Sequence, residues 1–454
     1  GAGTGKTFSM VSRVAFLCSK KSDAVAHLEE EIAMVTFTND AANNMKSRLK
    51  QMFVNYFILT NQPRYLKFVE DVDRAHISTI HRFALEILRS APLYTGLGTN
   101  FRIGSNEYLR GKLYDAYLGD FLARAEQENP NFMHEIPVPA YELKRKLMTI
   151  ADRLLTKSVL LREIKRAQMG VEVNGVLPFN DLIEQVMLPA EESYATSMHD
   201  ANEIDLMECI ILLNQVLRQI SGTLASLRLR YLFVDEFQDT DDVQIQTFQL
   251  LQKAMNADCR FFVVGDLKQS IYRFRNSDWT LLDERIGLDF PTGVTERTLA
   301  ENWRSFGRVV EFNNALFTFF PARLQERYNV GLAESTLPPE RCALYGGRIL
   351  RAYAHSRQAL PEGRAANAGH VRVELLEHTG KKEEWQEQAM ARLVDVVSEL
   401  RRHGRSWGDI AVLTRTRAEA ALVTGALLTY GRQHPEAALR ILSDDGLQLD
   451  GASA

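Results

Sequence analysis

The first seven residues, Gly1-Ala2-Gly3-Thr4-Gly5-Lys6-Thr7, are all but the leading residue of a phosphate-binding loop. Its glycines let backbone N–H groups converge on phosphate oxygens, its lysine reaches the β- and γ-phosphates, and its Thr hydroxyl ligates Mg²⁺. This feature constrains the fold more than any other, because such a loop joins a buried strand to the N-terminus of a helix. A second segment agrees with it. The apolar run Tyr231-Leu232-Phe233-Val234 ends in Asp235-Glu236-Phe237-Gln238-Asp239-Thr240. At a strand end, one of two adjacent carboxylates can hold the Mg²⁺ shell and the other can activate water. A Gly-rich turn alone could be fortuitous; with the acidic pair it implies nucleotide hydrolysis.

A chain of 454 residues exceeds one ordinary core and predicts two to four domains. The formal charge of −4 excludes a uniformly positive surface, so any nucleic-acid site must be a local channel. Cys18, Cys209, Cys259 and Cys342 form no C-x-x-C pair, which argues for reduced cytosolic thiols over a zinc or iron–sulfur site. No apolar run approaches the ~20 residues needed to cross a bilayer, so no membrane partner is expected.

Short apolar runs set out the organisation. Ile32–Phe37, His76–Thr79, Tyr231–Val234 and Arg260–Val264 read as continuous strands, each followed by polar residues and a helix. That pattern predicts an α/β fold with a parallel sheet covered on both faces. Ligands sit at the carboxyl ends of such strands, where Thr38, His81, Asp235 and Asp266 fall. Residues 96–220 predict a mainly helical insertion, with helices over 141–166 and 204–220. A second α/β unit is expected after about 300, with a helix at 308–320, strands at 371–376 and 409–413, and a helix at 384–402. The stretch 331–369 reads as loop.

Four further segments complete a pattern: Thr36-Phe37-Thr38-Asn39-Asp40-Ala41-Ala42, Ser78-Thr79-Ile80-His81-Arg82-Phe83, Gly265-Asp266-Leu267-Lys268-Gln269-Ser270-Ile271-Tyr272-Arg273-Phe274-Arg275, and Glu301-Asn302-Trp303-Arg304-Ser305. With the loop and the acidic pair, six motifs resemble in type, order and spacing the UvrD/Rep-like superfamily 1A DNA helicases. The Asn-Trp-Arg-Ser form, and Leu442-Ser443-Asp444-Asp445-Gly446-Leu447, lean towards the RecB/AddA branch. The resemblance implies two RecA-like P-loop NTPase domains. The first would comprise 1–95 and 221–300, with the helical insertion at 96–220, and an incomplete second domain would occupy 301–454. It also implies an ATP-dependent, Mg²⁺-requiring 3′ to 5′ helicase on single-stranded and tailed duplex DNA, cytoplasmic, in repair or recombination. The competing readings are an ATP-gated single-strand DNA clamp and a helicase–nuclease subunit with a partner subunit.

Individual roles follow. Gly1, Ala2, Gly3, Thr4 and Gly5 would cradle phosphates, Lys6 would offset charge on the transferred phosphoryl group, and Thr7 with Asp235 would hold the metal. Glu236 is the candidate general base, or orienter, of the attacking water, and the resemblance implies that Gln269 senses the γ-phosphate, Arg304 acts as the arginine finger and Trp303 stacks on adenine. Thr38, Asn39, His81, Phe83, Tyr272, Phe274 and Arg275 combine polar groups for phosphate with aromatic faces for bases. Phe83 reads as readily as helix core, and His81 as a strand-end cap. With no initiator Met and no strand before Gly1, the chain is expected to be an N-terminal motor fragment. Its sheet would then have an unpaired centre. It also ends before the family's last two motifs, so weak ATPase and no unwinding are expected of it alone.

Overall fold

The computed structural model describes residues 2–132, 138–157, 159–161, 172–173, 177–219, 228–254, 259–271, 286, 293–377 and 380–443. Two compact units divide the chain, Gly1–Gly369 and His370–Ala454.

The first unit is built on four parallel strands: β1 (Ile32–Thr36), β2 (His76–Thr79), β3 (Tyr231–Val234) and β4 (Arg260–Val263), in the order β2-β1-β3-β4. These are the four expected strands. The expected unpaired centre is corrected, because β1 and β3 pair directly along Ile32–Tyr231 to Val35–Val234 and no gap interrupts the four. Side chains alternate across a strand, so each strand feeds two cores. Ala33, Val35, Leu232 and Val234 enter one; Ile32, Met34, Tyr231 and Phe233 enter the other. Helices α1 (Lys6–Ser19), α2 (Asn39–Thr60) and α3 (Arg64–Arg74) cover the second core. Helices α4 (Ile80–Ser90), α5 (Glu208–Gln219) and α6 (Asp242–Ala254) cover the first. In α1, Met10, Val11, Val14, Ala15, Leu17 and Cys18 are buried, the stripe a 3.6-residue period puts on one face.

Between β2 and β3 the chain is mainly helical, as expected. Helices at Glu107–Glu128, Ala140–Thr156 and Leu188–Asp200 share a core of their own around Tyr114, Leu118, Leu147 and Val186. Arg110 is buried there and is satisfied by Glu191 at 2.7 Å and Asp152 at 2.5 Å. Beyond the sheet, α7 (Gly307–Ala333) runs well past the expected helix at 308–320 and carries Pro321 inside it. The region expected to be loop contains two short helices, Pro339–Tyr345 and Arg348–Tyr353. Six or seven residues are too few for a helical period to stand out in sequence, although Pro339 at the first helical turn is a start signal.

In the second unit, helices Lys382–Arg402 and Arg417–Gln433 are present, and a capping box of Thr416 and Glu419 starts the latter. The strands expected at 371–376 and 409–413 do not form ladders among the described residues. A strand exists only by pairing, and here Leu375 and Leu413 stand 94% and 95% exposed. Glu374 is instead held by Arg392 at 2.6 and 2.7 Å.

Candidate nucleotide site at the carboxyl rim of the sheet

Because the four strands are parallel, their carboxyl ends share one rim, and the residues just beyond them meet there. Gly5 caps α1 in the left-handed region at φ +81°, and Gly3 adopts φ +80°. Only glycine reaches these angles without strain. The turn points the first helical residues, Lys6 and Thr7, at the end of β3. Lys6 Nζ lies 3.2 Å from Glu236 Oε2, and Thr7 Oγ1 donates to Asp235 Oδ2 at 3.5 Å. Residues 228 and 230 positions apart are thus brought together.

Glu236 itself has φ +50°, a left-handed conformation that costs a non-glycine residue roughly 1–2 kcal/mol. The turn is held by the Glu236 N–H donating to Asp235 Oδ1 at 3.0 Å. Burial, with the charge of Glu236 beside it, pushes the Asp235 carboxyl up to about 6, although the Glu236 amide, Lys6 and Thr7 pull it down. The same two causes raise Asp239 to about 6. Among the described residues, Asp239 Oδ1 is buried without a hydrogen-bond partner. Burial and the neighbouring carboxylate thus outweigh the donors that face Asp235 and Asp239.

Two residues given no role in the sequence reading organise the site. Gln238 is buried between the two acidic segments. Its Nε2 donates to Glu236 Oε2 at 2.9 Å, and its Oε1 accepts from the Asp266 N–H at 2.8 Å. The signal was present in the sequence as an amide two residues after a strand-end acidic pair. Gln269 follows β4, and its Nε2 donates to Asp266 Oδ2 at 2.6 Å. Burial raises the Asp266 carboxyl, but the hydrogen bond and charge of Lys268, with Gln269, outweigh it and hold Asp266 below its ordinary range.

The second is Asn302. It is buried, and its Oδ1 accepts from the N–H groups of Arg304 and Ser305 at 3.0 and 2.8 Å. Its Nδ2 donates to the Ala2 carbonyl at 3.3 Å, while the Trp303 N–H donates to the Gly3 carbonyl at 2.9 Å. The Asn302–Ser305 turn is thereby fastened to the phosphate loop. A Cβ on Gly3 would lie 2.7 Å from Asn302 Oδ1 and 3.0 Å from Arg304 Cβ. Arg304 is exposed beside the loop, and Trp303 is 56% exposed. Thr4 is buried within the loop.

The residues assigned to nucleic acid fare differently. Thr38 and Asn39 are exposed on the same rim, with Thr38 Oγ1 capping α2 by accepting from the Ala41 N–H. His81 is half-buried one residue into α4, which Thr79 caps. Phe83 requires correction as a stacking residue. It is 1% exposed, lies in the sheet core with Ile80, Ala84, Ile87 and Leu88, and meets the His76 ring edge-on. No face of it is open to a base. Tyr272, Phe274, Arg275 and Gly1 lie outside the described residues, as do Asp444 to Leu447.

A left-handed glycine turn at a helix start, facing an acidic pair at the end of a parallel strand, defines a P-loop nucleotide site. Family comparison agrees: the UvrD/REP helicase N-terminal domain matches residues 1–286, more than half the chain. The chain belongs to that family. Among its relatives are the ATP-dependent DNA helicase Rep of Buchnera aphidicola subsp. Baizongia pistaciae, 26% identical over 73% of this chain and 42% of the relative. Rep of Escherichia coli is 27% identical over 72% of this chain and 42% of its own length. The ATP-dependent DNA helicase SRS2 of Saccharomyces cerevisiae is 25% identical over 70% of this chain and 25% of its own. The chain therefore spans about two fifths or less of these relatives. Beside this membership, the lean towards RecB/AddA is minor. Among the described residues no helix is long and apolar enough to cross a membrane.

Proposed function

We propose that this chain is the ATP-hydrolysing motor portion of a DNA helicase that moves 3′ to 5′ on single-stranded DNA in repair or recombination. The observation that carries the reading is the convergence of Lys6 and Thr7 on Asp235 and Glu236 at the rim of a parallel sheet. Membership of the UvrD/REP family and the named activity of the relatives support it.

In this reading the loop amides of residues 2–5 and Lys6 bind the triphosphate, and Glu236 accepts the proton of the attacking water. Gln238 orients Glu236, and Gln269 lies within reach of the γ-phosphate. Arg304 offsets charge on the transferred group, and Trp303 offers its open face to adenine. The donor set suits Mg²⁺: hard oxygen ligands, a carboxylate pushed up by burial and by the charge of Glu236, and a buried Asp239 oxygen without a partner among the described residues. Thr7 and Asp235 would hold the ion, which would supply charge stabilisation on the phosphates. Thr38, Asn39 and His81 on the rim, with Tyr272, Phe274 and Arg275, form the DNA side of the proposal. The domain division at 1–95 with 221–300, 96–220 and 301–454 belongs to it too, although α5 packs on the sheet core rather than on that of the insertion. Work on DNA with ATP as fuel fits a cytoplasmic setting. The Asn302-Trp303-Arg304-Ser305 form supports a partner subunit of the helicase–nuclease kind.

Strand displacement by the full-length protein tests the reading. ATP-dependent unwinding of a 3′-tailed duplex, with none of a 5′-tailed one, is expected. Binding of the tail without displacement would leave an ATP-gated clamp instead.

A further inference from the structure

The phosphate loop has a support that lies outside every signature motif. We propose that Asn314 and Gln358 are positioning residues that hold the loop in its nucleotide-binding shape from the side of α7, a role that rests on the nucleotide reading above. The backbone of Gln358 is locked at both ends by one side chain. Its N–H donates to Asn314 Oδ1 at 2.8 Å, and its carbonyl accepts from Asn314 Nδ2 at 2.9 Å. From that fixed point the Gln358 side chain reaches the loop. Its Nε2 donates to the Ala2 carbonyl at 2.9 Å, and its Oε1 accepts from Asn302 Nδ2 at 2.7 Å. The Ala2 carbonyl is thus gripped by two amides at once.

One continuous network therefore runs from α7 through Gln358 and Asn302 to the loop and to the turn that bears Arg304. Such anchoring matters here because Gly3 and Gly5 leave the loop free to adopt many conformations. An unanchored loop would have to be ordered by the nucleotide itself, at the expense of affinity. Asn302 Oδ1 keeps the Arg304 and Ser305 N–H groups whether or not Gln358 holds its Nδ2, and the anchors touch the loop backbone before Lys6 and no reacting atom, so they act alike on bound substrate and transition state. A loss should then appear in KM and leave kcat nearly unchanged.

The test uses the full-length protein, steady-state ATPase and titration with a fluorescent ATP analogue. Gln358→Ala should raise both KM and Kd about tenfold, the effect of losing about two neutral hydrogen bonds, with kcat within about twofold. Gln358→Glu keeps the size and the acceptor for Asn302 but cannot donate to the Ala2 carbonyl, so it should not restore affinity. Asn314→Ala should act in the same direction, and the double variant with Gln358→Ala should be no worse than Gln358→Ala alone, as expected for one relay. An unchanged KM in Gln358→Ala, full affinity in Gln358→Glu, or additive losses would overturn the proposal. Lys6→Ala in the same assays separates the two readings. Turnover surviving Lys6→Ala sinks the nucleotide site itself, while its loss beside an unaffected Gln358→Ala sinks only the relay.

Discussion

Replacing Gly3 by Ala, with Gly5→Ala as the matched control, isolates the contact between the phosphate loop and the Asn302 turn. Both glycines sit near φ +80°, so an Ala at either carries the same left-handed penalty, about 1–2 kcal/mol. Their surroundings differ. At Gly5 the nearest atom to a new Cβ is Phe8 Cβ at 4.0 Å, an ordinary contact. At Gly3 the new Cβ would stand 2.7 Å from Asn302 Oδ1, which must move. That oxygen accepts from two backbone N–H groups, and at about 0.5–1.5 kcal/mol each their loss adds about 1–3 kcal/mol. Gly3→Ala should therefore destabilise the nucleotide-free chain by about 2–5 kcal/mol, against about 1–2 for Gly5→Ala. Urea unfolding followed by circular dichroism, read as the shift of the first transition, measures both. Equal shifts, or a larger one for Gly5→Ala, would refute the claim that Asn302 packs directly on the loop.

Further predictions concern the chemistry. Glu236→Gln should keep nucleotide binding and lose hydrolysis, because the amide preserves the shape but takes no proton; Asp235→Asn should instead raise the Mg²⁺ concentration needed for half-maximal ATPase. Trp303→Ala should weaken adenine nucleotides by roughly fivefold or more while leaving inorganic triphosphate unaffected, which competition titrations would show. For Asp239, raised in the folded state to about 6, the sign is that of a group whose stabilising effect is full below its unfolded value near 4 and is lost as pH rises through about 6. Across that window the unliganded wild type should lose stability relative to Asp239→Asn, and a constant difference in unfolding midpoint would argue against a buried, charge-crowded Asp239.

Much of the sheet and its rim was legible in the sequence, for a physical reason. Strands buried on both faces read as unbroken apolar runs, so Ile32–Thr36 and Tyr231–Val234 announce both themselves and the polar residues that follow. Phe83 was open to a better reading from its own helix. Ile80, Phe83, Ala84, Ile87 and Leu88 form a helical stripe, which marks Phe83 as core. The segments at 371–376 and 409–413 have strand-like composition, but pairing is a tertiary event that composition cannot supply. The Gln358 relay was out of reach altogether. Its partners lie 44, 56 and 356 residues away, and a lone Gln in a Pro- and Gly-containing stretch carries no period and no motif.

The most direct measurement is ATP turnover by the full-length protein with and without a single-stranded oligonucleotide, in wild type and in Lys6→Ala. DNA should stimulate the wild type at least about tenfold, and Lys6→Ala should abolish both rates while far-UV circular dichroism stays native. A Lys6→Ala protein that hydrolyses ATP within a few-fold of wild type, or a wild type indifferent to DNA, would contradict a P-loop motor driven along DNA.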